Sequence, residues 1–162
     1  MAAKLKIDWK KLIISILITE GAGLAGSIFT VSQIPTWYVA LVKSPITPPN
    51  WLFGPMWTIL YLLMGLSLYI VWKKGIKSSQ SKLSVSLFAI QLALNILWSV
   101  IFFGMHSLIG GVITIVFLWF FILGDIVETR EVDKVAAYAL LPYLAWVTIA
   151  TLLNISILWF NP

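Results

Sequence analysis

Aromatic and amide side chains recur at helical spacing inside the apolar part of this sequence. They fall into three sets: Trp57 with Tyr61, Gln91 with Asn95 and Trp98, and Trp146 with Ala150. Residues three, four or seven positions apart lie on one face of a helix. Rings grouped with an amide can stack on a flat π-system and hydrogen-bond its edge. The same side chains can also simply fill a helix interface, and spacing alone favours that packing interpretation.

One acidic side chain, Glu20, lies well inside an apolar stretch. An acid there is costly unless it faces the protein interior or a water-filled cavity, so it is a candidate for binding substrate or protons. The alternative is a neutral carboxyl that hydrogen-bonds a neighbouring helix. The sequence does not separate the two interpretations.

The other titratable residues do not suggest a catalytic or metal-binding set. His106 is the only histidine and cysteine is absent, so no structural metal site is predicted. His106 is a candidate axial haem ligand, but a solvent-exposed role in a short turn is the more ordinary expectation. Without a nucleophile–base–orienter set, we predict no catalytic residue and no required cofactor. With Arg130 and Lys134, four acids are predicted to form a solvated loop: Asp125, Glu128, Glu131 and Asp133.

The composition places these residues in a bilayer. Hydrophobic residues make up 60% of the chain and charged residues 10%, with a mean hydropathy of +0.99. Soluble domains carry about a quarter charged residues, so too few remain here to coat a water-facing surface. The net charge of +5 reports membrane topology better than nucleic-acid binding, which needs basic residues gathered on one solvated face.

Five apolar stretches are each near the ~20 residues needed to cross a membrane. They cover residues 12–32, 51–72, 83–104, 108–127 and 136–160. Backbone groups in hydrocarbon must be satisfied internally, and strand alternation is absent, so we predict helices rather than a barrel. The predicted fold is all-α: a single domain, 1–162, forming a bundle of five transmembrane helices.

The basic residues predict the orientation of the chain. All except Lys43 lie before the first span, between the second and third, or between the fourth and fifth. By the positive-inside rule, the N-terminus is cytoplasmic, the C-terminus is outside, and a cell (plasma) membrane is favoured. A cleaved signal peptide over residues 1–23 is the competing interpretation. The apolar stretch continues to Val31, which favours a true span.

The first connection, residues 33–50, contains four prolines and is predicted to be a stiff, non-helical lid. Trp37 and Tyr38 within it suit the headgroup layer. Four further tryptophans near span ends are predicted interfacial anchors: Trp9, Trp51, Trp72 and Trp159.

Three blocks of sequence carry a family resemblance. They read WYVALVKSPITPPNWLFGPMWTILYLLMGLSLYIVW from Trp37, QLALNILWSVIFFG from Gln91 and LLPYLAWVTIATLLN from Leu140. In order and position they resemble the translocator protein family, also called the tryptophan-rich sensory protein or peripheral-type benzodiazepine receptor family. The resemblance covers essentially the whole chain.

The resemblance implies a homodimeric five-helix bundle with a ligand cavity beneath the first loop. It implies binding of porphyrin or haem-type tetrapyrroles, and of sterol-like molecules in animal members, without a required cofactor. It also reverses the packing preference stated above. The ligand-binding residues implied are Trp37, Trp57, Tyr61, Asn95, Trp98, Trp146 and Ala150.

Two departures from the animal members bear on the ligand. Ile155 and Trp159 stand where those members carry a sterol-associated tyrosine and arginine, which weakens the expectation of cholesterol recognition. Thr114 stands where they carry an acid.

Small residues four apart offer two helix seams. These are Ala22 with Gly26 and Ala89 with Ala93, and the resemblance favours the second pair, on the third helix, for the dimer.

Three functional hypotheses follow. The first is a membrane receptor or carrier that binds tetrapyrroles and other flat hydrophobic ligands in a tryptophan-lined cavity. The second is a proton-coupled exporter of hydrophobic compounds that uses Glu20, because intramembrane acids often relay protons. The third, known from some bacterial relatives, is an enzyme-like, light-dependent degradation of bound porphyrin.

Overall fold

The computed structural model describes residues 7–161, and within that range it is all-helical without a β-strand. Five long helices form the chain: α1 Trp9–Thr30, α2 Asn50–Lys74, α3 Ser79–Ser99, α4 Leu108–Val132 and α5 Lys134–Phe160. A short π-helical turn, Val100–Gly104, continues α3. All five are long and apolar enough to cross a membrane. The prediction of a five-helix, multi-pass membrane protein is confirmed.

The helices extend beyond the apolar stretches because polar side chains cap their ends. Asp8 Oδ1 accepts a hydrogen bond from the amide of Lys11 at the start of α1, and Ser78 and Ser107 cap α3 and α4 in the same way. Such caps satisfy amides that have no partner within the helix. At the end of α2, Gly75 adopts a φ of 105°, a conformation that glycine reaches without strain.

Asp133 joins α4 to α5 and binds the end of α2. Its Oδ1 accepts hydrogen bonds from the amides of Val135 and Ala136, and its Oδ2 lies 2.7 Å from Lys74 Nζ. Burial alone would raise the pKa of the Asp133 carboxyl, but the hydrogen bonds from Lys74 and the two amides outweigh burial and hold the pKa below its usual value. This interaction joins the end of α2 to the junction of α4 and α5. The end of the bundle where α2 and α4 finish and α5 begins is called here the lysine face.

The five helices close into a ring. Helix α1 packs against α2 and α3, α2 packs against α5, and α4 packs against both α3 and α5. Helices α1 and α2 approach closely at Gly65, where an added Cβ would lie 3.0 Å from the Ile16 Cα atom. Inside the ring lies one hydrophobic cluster, centred on fully buried side chains such as Met64, Leu140 and Tyr143.

The outer surface of the ring is apolar, as expected for lipid contact. Large hydrophobic side chains such as Leu17, Leu62 and Phe120 are exposed along the middle of their helices. Trp9, Trp51 and Trp159 are also exposed and lie at helix ends, which agrees with interfacial anchoring. Trp72 is partly buried instead, and its carbonyl accepts a bond from Lys11.

The first loop differs in part from the prediction of a non-helical lid. Residues Ile34–Tyr38 form a π-helical turn, closed by the bond from the Tyr38 amide to the Gln33 carbonyl. Pro35 is tolerated because it lies in the first turn, where an amide needs no helical partner. The second half of the loop, with the remaining prolines, is non-helical up to Asn50.

The prediction of a solvated acidic loop after the fourth span is wrong for Asp125. Helix α4 continues to Val132, and Asp125 lies on the side of α4 that faces the bundle interior. Only 1% of its surface is exposed. The apolar stretch ends near residue 127, but the polar residues that follow are still helical and turn Asp125 toward α3. Glu131 and Asp133 do lie at the end of α4.

Candidate functional site

A cavity of about 250 Å³ lies beneath the first loop, between α1, α2, α3 and α5. The π-helical turn closes it from above with Ile34 and Tyr38. Its wall is mainly aromatic and aliphatic, with polar groups from three helices: Glu20, Asn95 and Asn154.

Six of the seven predicted ligand-binding residues line this cavity. They are Trp57, Tyr61, Asn95, Trp98, Trp146 and Ala150, and the candidate acid Glu20 lines it as well. The seventh, Trp37, is not on the wall. Its ring packs edge-on against Phe102 at 5.4 Å and stacks on His106 at 4.4 Å, so it lies behind the lining side chains.

The aromatic rings form a continuous wall on one side of the cavity. The Trp57 ring lies 5.7 Å from Tyr61 and 6.5 Å from Trp98, both at tilts near 30°. The Trp98 ring in turn stacks on Phe102 at 5.5 Å and 11°. Offset arrangements at these distances are the favoured geometry of aromatic pairs. The wall therefore presents ring faces and edges to anything in the cavity.

Asn95 anchors this wall to the centre of the bundle. The Tyr61 hydroxyl donates to Asn95 Oδ1 at 2.6 Å, and Asn95 Nδ2 donates to the Tyr143 hydroxyl at 2.8 Å. Tyr61 borders the cavity, whereas Tyr143 is fully buried. The amide thus connects a ligand-facing group to a group in the core.

A second amide, Asn154, holds the tryptophan of α3 in position. Its Oδ1 accepts a bond from Trp98 Nε1 at 3.2 Å, and its Nδ2 donates to the Ala150 carbonyl. These bonds fix the Trp98 ring against the cavity. Asn95 and Asn154 therefore both join neighbouring helices by side-chain hydrogen bonds.

Two polar atoms of the cavity wall are buried without a hydrogen-bond partner: Glu20 Oε1 and Trp146 Nε1. A buried polar group without a partner costs about 1–3 kcal/mol. Such groups in a concave, apolar site are the ones that a ligand can satisfy. A ligand that displaces the side chains covering these atoms would reach one N–H donor and one carboxyl.

The cavity opens sideways between α1 and α2. At Gly23 the helices touch, because an added Cβ would lie 2.5 Å from the Tyr61 ring. Nearer the first loop they separate, and Leu24, Gly54 and Thr58 are both exposed and part of the cavity wall. A Cβ added at Gly54 would meet nothing within 4 Å. The side opening faces the region that lipid occupies.

The first loop is fastened at several points. Lys43 Nζ donates to the carbonyls of Tyr38 and Leu41, at 2.7 and 2.9 Å, and lies over the Tyr38 ring. The Asn161 side chain exchanges two hydrogen bonds with the Val42 backbone. Burial raises the pKa of the Tyr38 hydroxyl and lowers the pKa of the Lys43 ammonium.

His106 fastens the start of the loop from the α3–α4 turn. Its Nε2 lies 2.9 Å from Gln33 Oε1, and its ring stacks on Trp37. The side chain is exposed, as predicted, and does not line the cavity. Within residues 7–161, no cluster of three or more acidic or histidine side chains could hold a metal ion.

Sequence reasoning missed several lining residues. Tyr38 was expected in the headgroup layer, but it is buried and closes the cavity. Phe53, Phe102 and Phe103 also line the wall. The sequence held a signal for Asn154, since residues 146, 150 and 154 share one helix face.

The departures from the animal members lie away from the cavity. Thr114 is buried and bonds the Gly110 carbonyl, while Ile155 and Trp159 face outward. None of the three is on the cavity wall.

Comparison with known proteins gives consistent matches over almost the whole chain. The model of the TspO/MBR family matches residues 15–160. A tryptophan-rich protein TspO from Chlorobaculum tepidum is 46% identical over 86% of this chain and 89% of its own length. One from Archaeoglobus fulgidus is 43% identical over 93% and 97%, respectively. The translocator protein of Ovis aries is 33% identical over 85% and 82%.

Proposed function

Because this chain belongs to the TspO/MBR family, we propose that it is a membrane receptor or carrier for porphyrins and related flat hydrophobic ligands. The ligand binds in the cavity beneath the first loop. The single observation that carries this proposal is the aromatic wall beside an unsatisfied N–H donor, Trp146 Nε1.

The chemistry of the wall supports a flat aromatic ligand. Ring faces of Trp57 and Trp98 offer stacking surfaces, and stacking contributes about 0.5–1.5 kcal/mol per pair beyond area burial. Trp146 Nε1 would donate to an acceptor on the ligand edge, which removes the cost of leaving that N–H unsatisfied. A tetrapyrrole provides both a large π-system and edge acceptors, whereas a sterol-like ligand provides apolar bulk and one oxygen but no extended π-system to stack on the wall.

The size of the cavity sets how such a ligand would sit. About 250 Å³ lies just below the ~300–1,000 Å³ of typical ligand pockets, so the closed cavity is small for an entire tetrapyrrole. One edge of the macrocycle would enter the cavity while the rest occupies the side opening between α1 and α2. The exposed lining residues Leu24, Gly54 and Thr58 would then contact the ligand.

The test is quenching of tryptophan fluorescence in the purified protein on titration with protoporphyrin IX. Trp146→Phe should weaken saturable binding by roughly 5- to 30-fold, because a 1–2 kcal/mol hydrogen bond is lost. Trp159→Phe is the matched control, since Trp159 is 81% exposed on the same helix and is not part of the cavity wall. Linear quenching, unaffected by Trp146→Phe, would mean nonspecific partitioning and would refute the proposal.

A second function, proton-coupled export of hydrophobic compounds, is favoured by Glu20. Its Oε1 is buried on the cavity wall without a partner, where it could bind a proton or a cationic ligand in turn. Vesicles that contain Glu20→Gln should then lose substrate accumulation driven by a pH gradient. Normal accumulation in that variant would eliminate this function.

Light-dependent degradation of bound porphyrin is the third candidate, because Trp57 and Trp98 line the cavity, where they would contact a bound ring and could exchange electrons with it. Loss of porphyrin absorbance should then require light and stop in Trp98→Phe. Equal loss in the dark, or with free porphyrin in detergent, would rule it out.

The assembly and placement in the membrane complete the proposal. Ala22 and Gly26 are buried within the bundle, whereas Ala89 and Ala93 are exposed on α3 and remain free for a second copy. We therefore place the homodimer seam on α3, to be tested by cross-linking between cysteines introduced at Ala93. The lysine face is placed in the cytoplasm of a cell membrane, with the first loop outside.

A further inference from the structure

Buried polar side chains continue from the cavity through the bundle toward the lysine face. Helix α3 contributes Ser84, Gln91 and Asn95 on one face, and all three are at most 2% exposed. These three residues, with Asp125 and Thr129 of α4 and Tyr143 of α5, are called the polar seam. From Asn95 to Ser84 it runs about 16 Å along the helix axis. Most of it lies outside the cavity described above.

Asp125 is the acid of the polar seam. Its Oδ1 accepts a bond from Thr129 Oγ1 at 2.9 Å, and the Thr129 hydroxyl lies 2.6 Å from Ser84 Oγ. Its Oδ2 is buried without a partner. In residues 7–161 no lysine, arginine or histidine nitrogen forms an ion pair with Asp125, since the recorded pairs involve Asp8 and Asp133. An unpaired carboxylate in such a site is costly, so the group carries a proton.

Gln91 lies within one helical turn of Asp125 along the bundle axis. Ser84 faces Thr129 across the α3–α4 contact, and the two helices run antiparallel. Gln91 is seven residues beyond Ser84 on α3, and Asp125 is four residues before Thr129 on α4, in the same direction along the bundle. At a rise of about 1.5 Å per residue, the levels of Gln91 and Asp125 differ by about 4.5 Å along the bundle axis. Gln91 is fully buried, and neither of its side-chain amide atoms has a partner. An amide that can both donate and accept is thus placed between Asn95 and Asp125.

The hydrogen bonds at the cavity end all point in one direction. Tyr61 donates to Asn95, and Asn95 donates to Tyr143, so the Tyr143 hydroxyl keeps its own proton to donate deeper into the bundle. The unpartnered acceptors there are Gln91 Oε1 and Asp125 Oδ2. Helices α4 and α5 pack against each other. Tyr143 is nine residues from the start of α5 and Asp125 seven residues from the end of α4, so the two lie at similar depth, about 3 Å apart along the bundle axis. A change of charge at Asp125 can therefore reach Asn95 through the Tyr143 hydroxyl.

Few other titratable groups face Asp125. Among the described residues of α5, Tyr143 is the buried titratable group, whereas Lys134 and Tyr138 are exposed. The buried residues of α3 at this level do not titrate: Ser84, Phe88 and Gln91. Helix α2 barely contacts α4 and contributes Tyr61, at the far end of the hydrogen-bonded chain. Basic residues of the lysine face do not reach the carboxyl.

We propose that Asp125 is a proton-binding site, separate from the ligand cavity but connected to it through the polar seam. The carboxylate takes up one proton to become the acid, and no other chemistry is involved. A proton at Asp125 lets the carboxyl donate to the seam, whereas loss of the proton leaves it only accepting. The two states would therefore orient Gln91 and Tyr143 differently.

Infrared difference spectroscopy of protein labelled with [4-¹³C]aspartate tests the proposal without any ligand. The chain has three aspartates, Asp8, Asp125 and Asp133, and the other two lie in exposed or capping positions at the lysine face. At neutral pH we expect one isotope-sensitive protonated-carboxyl band, which shifts in D₂O and is absent from Asp125→Asn. Glu20→Gln is the control, and it should leave that band in place.

The connection is tested by Tyr143→Phe, which keeps the ring and removes the hydroxyl. The Asp125 band should move in this variant, while Tyr138→Phe, an exposed tyrosine of the same helix, should leave it unchanged. An unmoved band in Tyr143→Phe overturns the connection. Absence of a protonated-carboxyl band at neutral pH overturns the proton site, and its appearance only after sodium is removed assigns the site to sodium instead. If Asp125→Asn fails to fold, the isotope shift in the unmodified chain decides.

Discussion

Replacing the two tyrosines that flank Asn95 should have unequal effects on stability. Tyr143→Phe removes the acceptor of Asn95 Nδ2, at a point where Tyr143 is 0% exposed and no solvent replaces it. Tyr61→Phe removes the donor to Asn95 Oδ1, but Tyr61 borders the cavity, where water can supply a new donor. The geometry therefore predicts a larger loss for the more deeply buried tyrosine.

The magnitudes follow from the burial of the group left behind. A buried donor without a partner costs about 1–3 kcal/mol, and interhelical hydrogen bonds in membranes contribute about 0.6 kcal/mol on average and ~1.7 at most. We therefore expect Tyr143→Phe to lower the free energy of unfolding by about 1–2 kcal/mol. Tyr61→Phe should lower it by about 0.5 kcal/mol, because the amide oxygen becomes hydrated.

The assay is reversible unfolding in mixed detergent micelles, followed by circular dichroism. Tyr138→Phe is the control, because Tyr138 is on the same helix, 57% exposed and makes no recorded side-chain hydrogen bond. Equal losses of unfolding free energy for Tyr61→Phe and Tyr143→Phe would refute the reasoning. They would mean that water does not replace the lost hydrogen bond at the cavity any better than in the core. A loss for Tyr138→Phe as large as that for Tyr143→Phe would show that the hydroxyl itself, rather than its burial, is responsible.

Three further predictions concern the ends of the bundle and the cavity mouth. Asp133→Ala should lower the free energy of unfolding by about 0.5–2 kcal/mol, as for other helix caps. Because the pKa of Asp133 is depressed in the folded state, the unmodified chain should keep this stability above about pH 4 and lose it as the pH falls through the folded pKa. Unfolding measured at a series of pH values checks both expectations. Asn161→Ala should speed hydrogen exchange at the Val42 amide, whose bond to Asn161 is 3.0 Å, and unchanged exchange would mean that the loop is held elsewhere. Gly23→Ala should displace the Tyr61 ring and lower the free energy of unfolding by about 1–3 kcal/mol through overpacking. The variant should also narrow the side opening, so porphyrin association measured by stopped-flow fluorescence should slow. An unaltered association rate would argue for ligand entry from above the first loop.

The fold was predictable because its determinants are local. Apolar length fixes the five spans, and the placement of Lys43 apart from every other basic residue fixes which connections share a side. The helix ends were less predictable, because caps such as Asp133 extend helices past the apolar stretch. The first loop was misjudged at Ile34–Tyr38, since proline restricts a chain but does not forbid a first helical turn.

The cavity was predictable where one helix face carries several informative residues. Trp57 with Tyr61, and Asn95 with Trp98, do line it. Trp37 does not, because the π-helical turn Ile34–Tyr38 points its ring at Phe102 and His106. No sequence pattern reveals that geometry. Asp125 was misplaced for a related reason: its position near the end of an apolar stretch says nothing about which helix face it occupies.

The π-helical turn Val100–Gly104, at the end of α3, limits which single-residue deletions this sequence can tolerate. The bond from the Met105 amide to the Val100 carbonyl spans five residues rather than four, so the helix contains one residue more than a regular turn needs. Deleting one residue from Val100–Gly104 would restore a regular helix and rotate the following turn by about 100°. The His106 ring would then leave Trp37 and Gln33, and the start of the first loop would lose this fastening although no residue of the loop had changed. The number of residues in this turn is thus as much a part of the cavity's closure as the identities of the residues that line it.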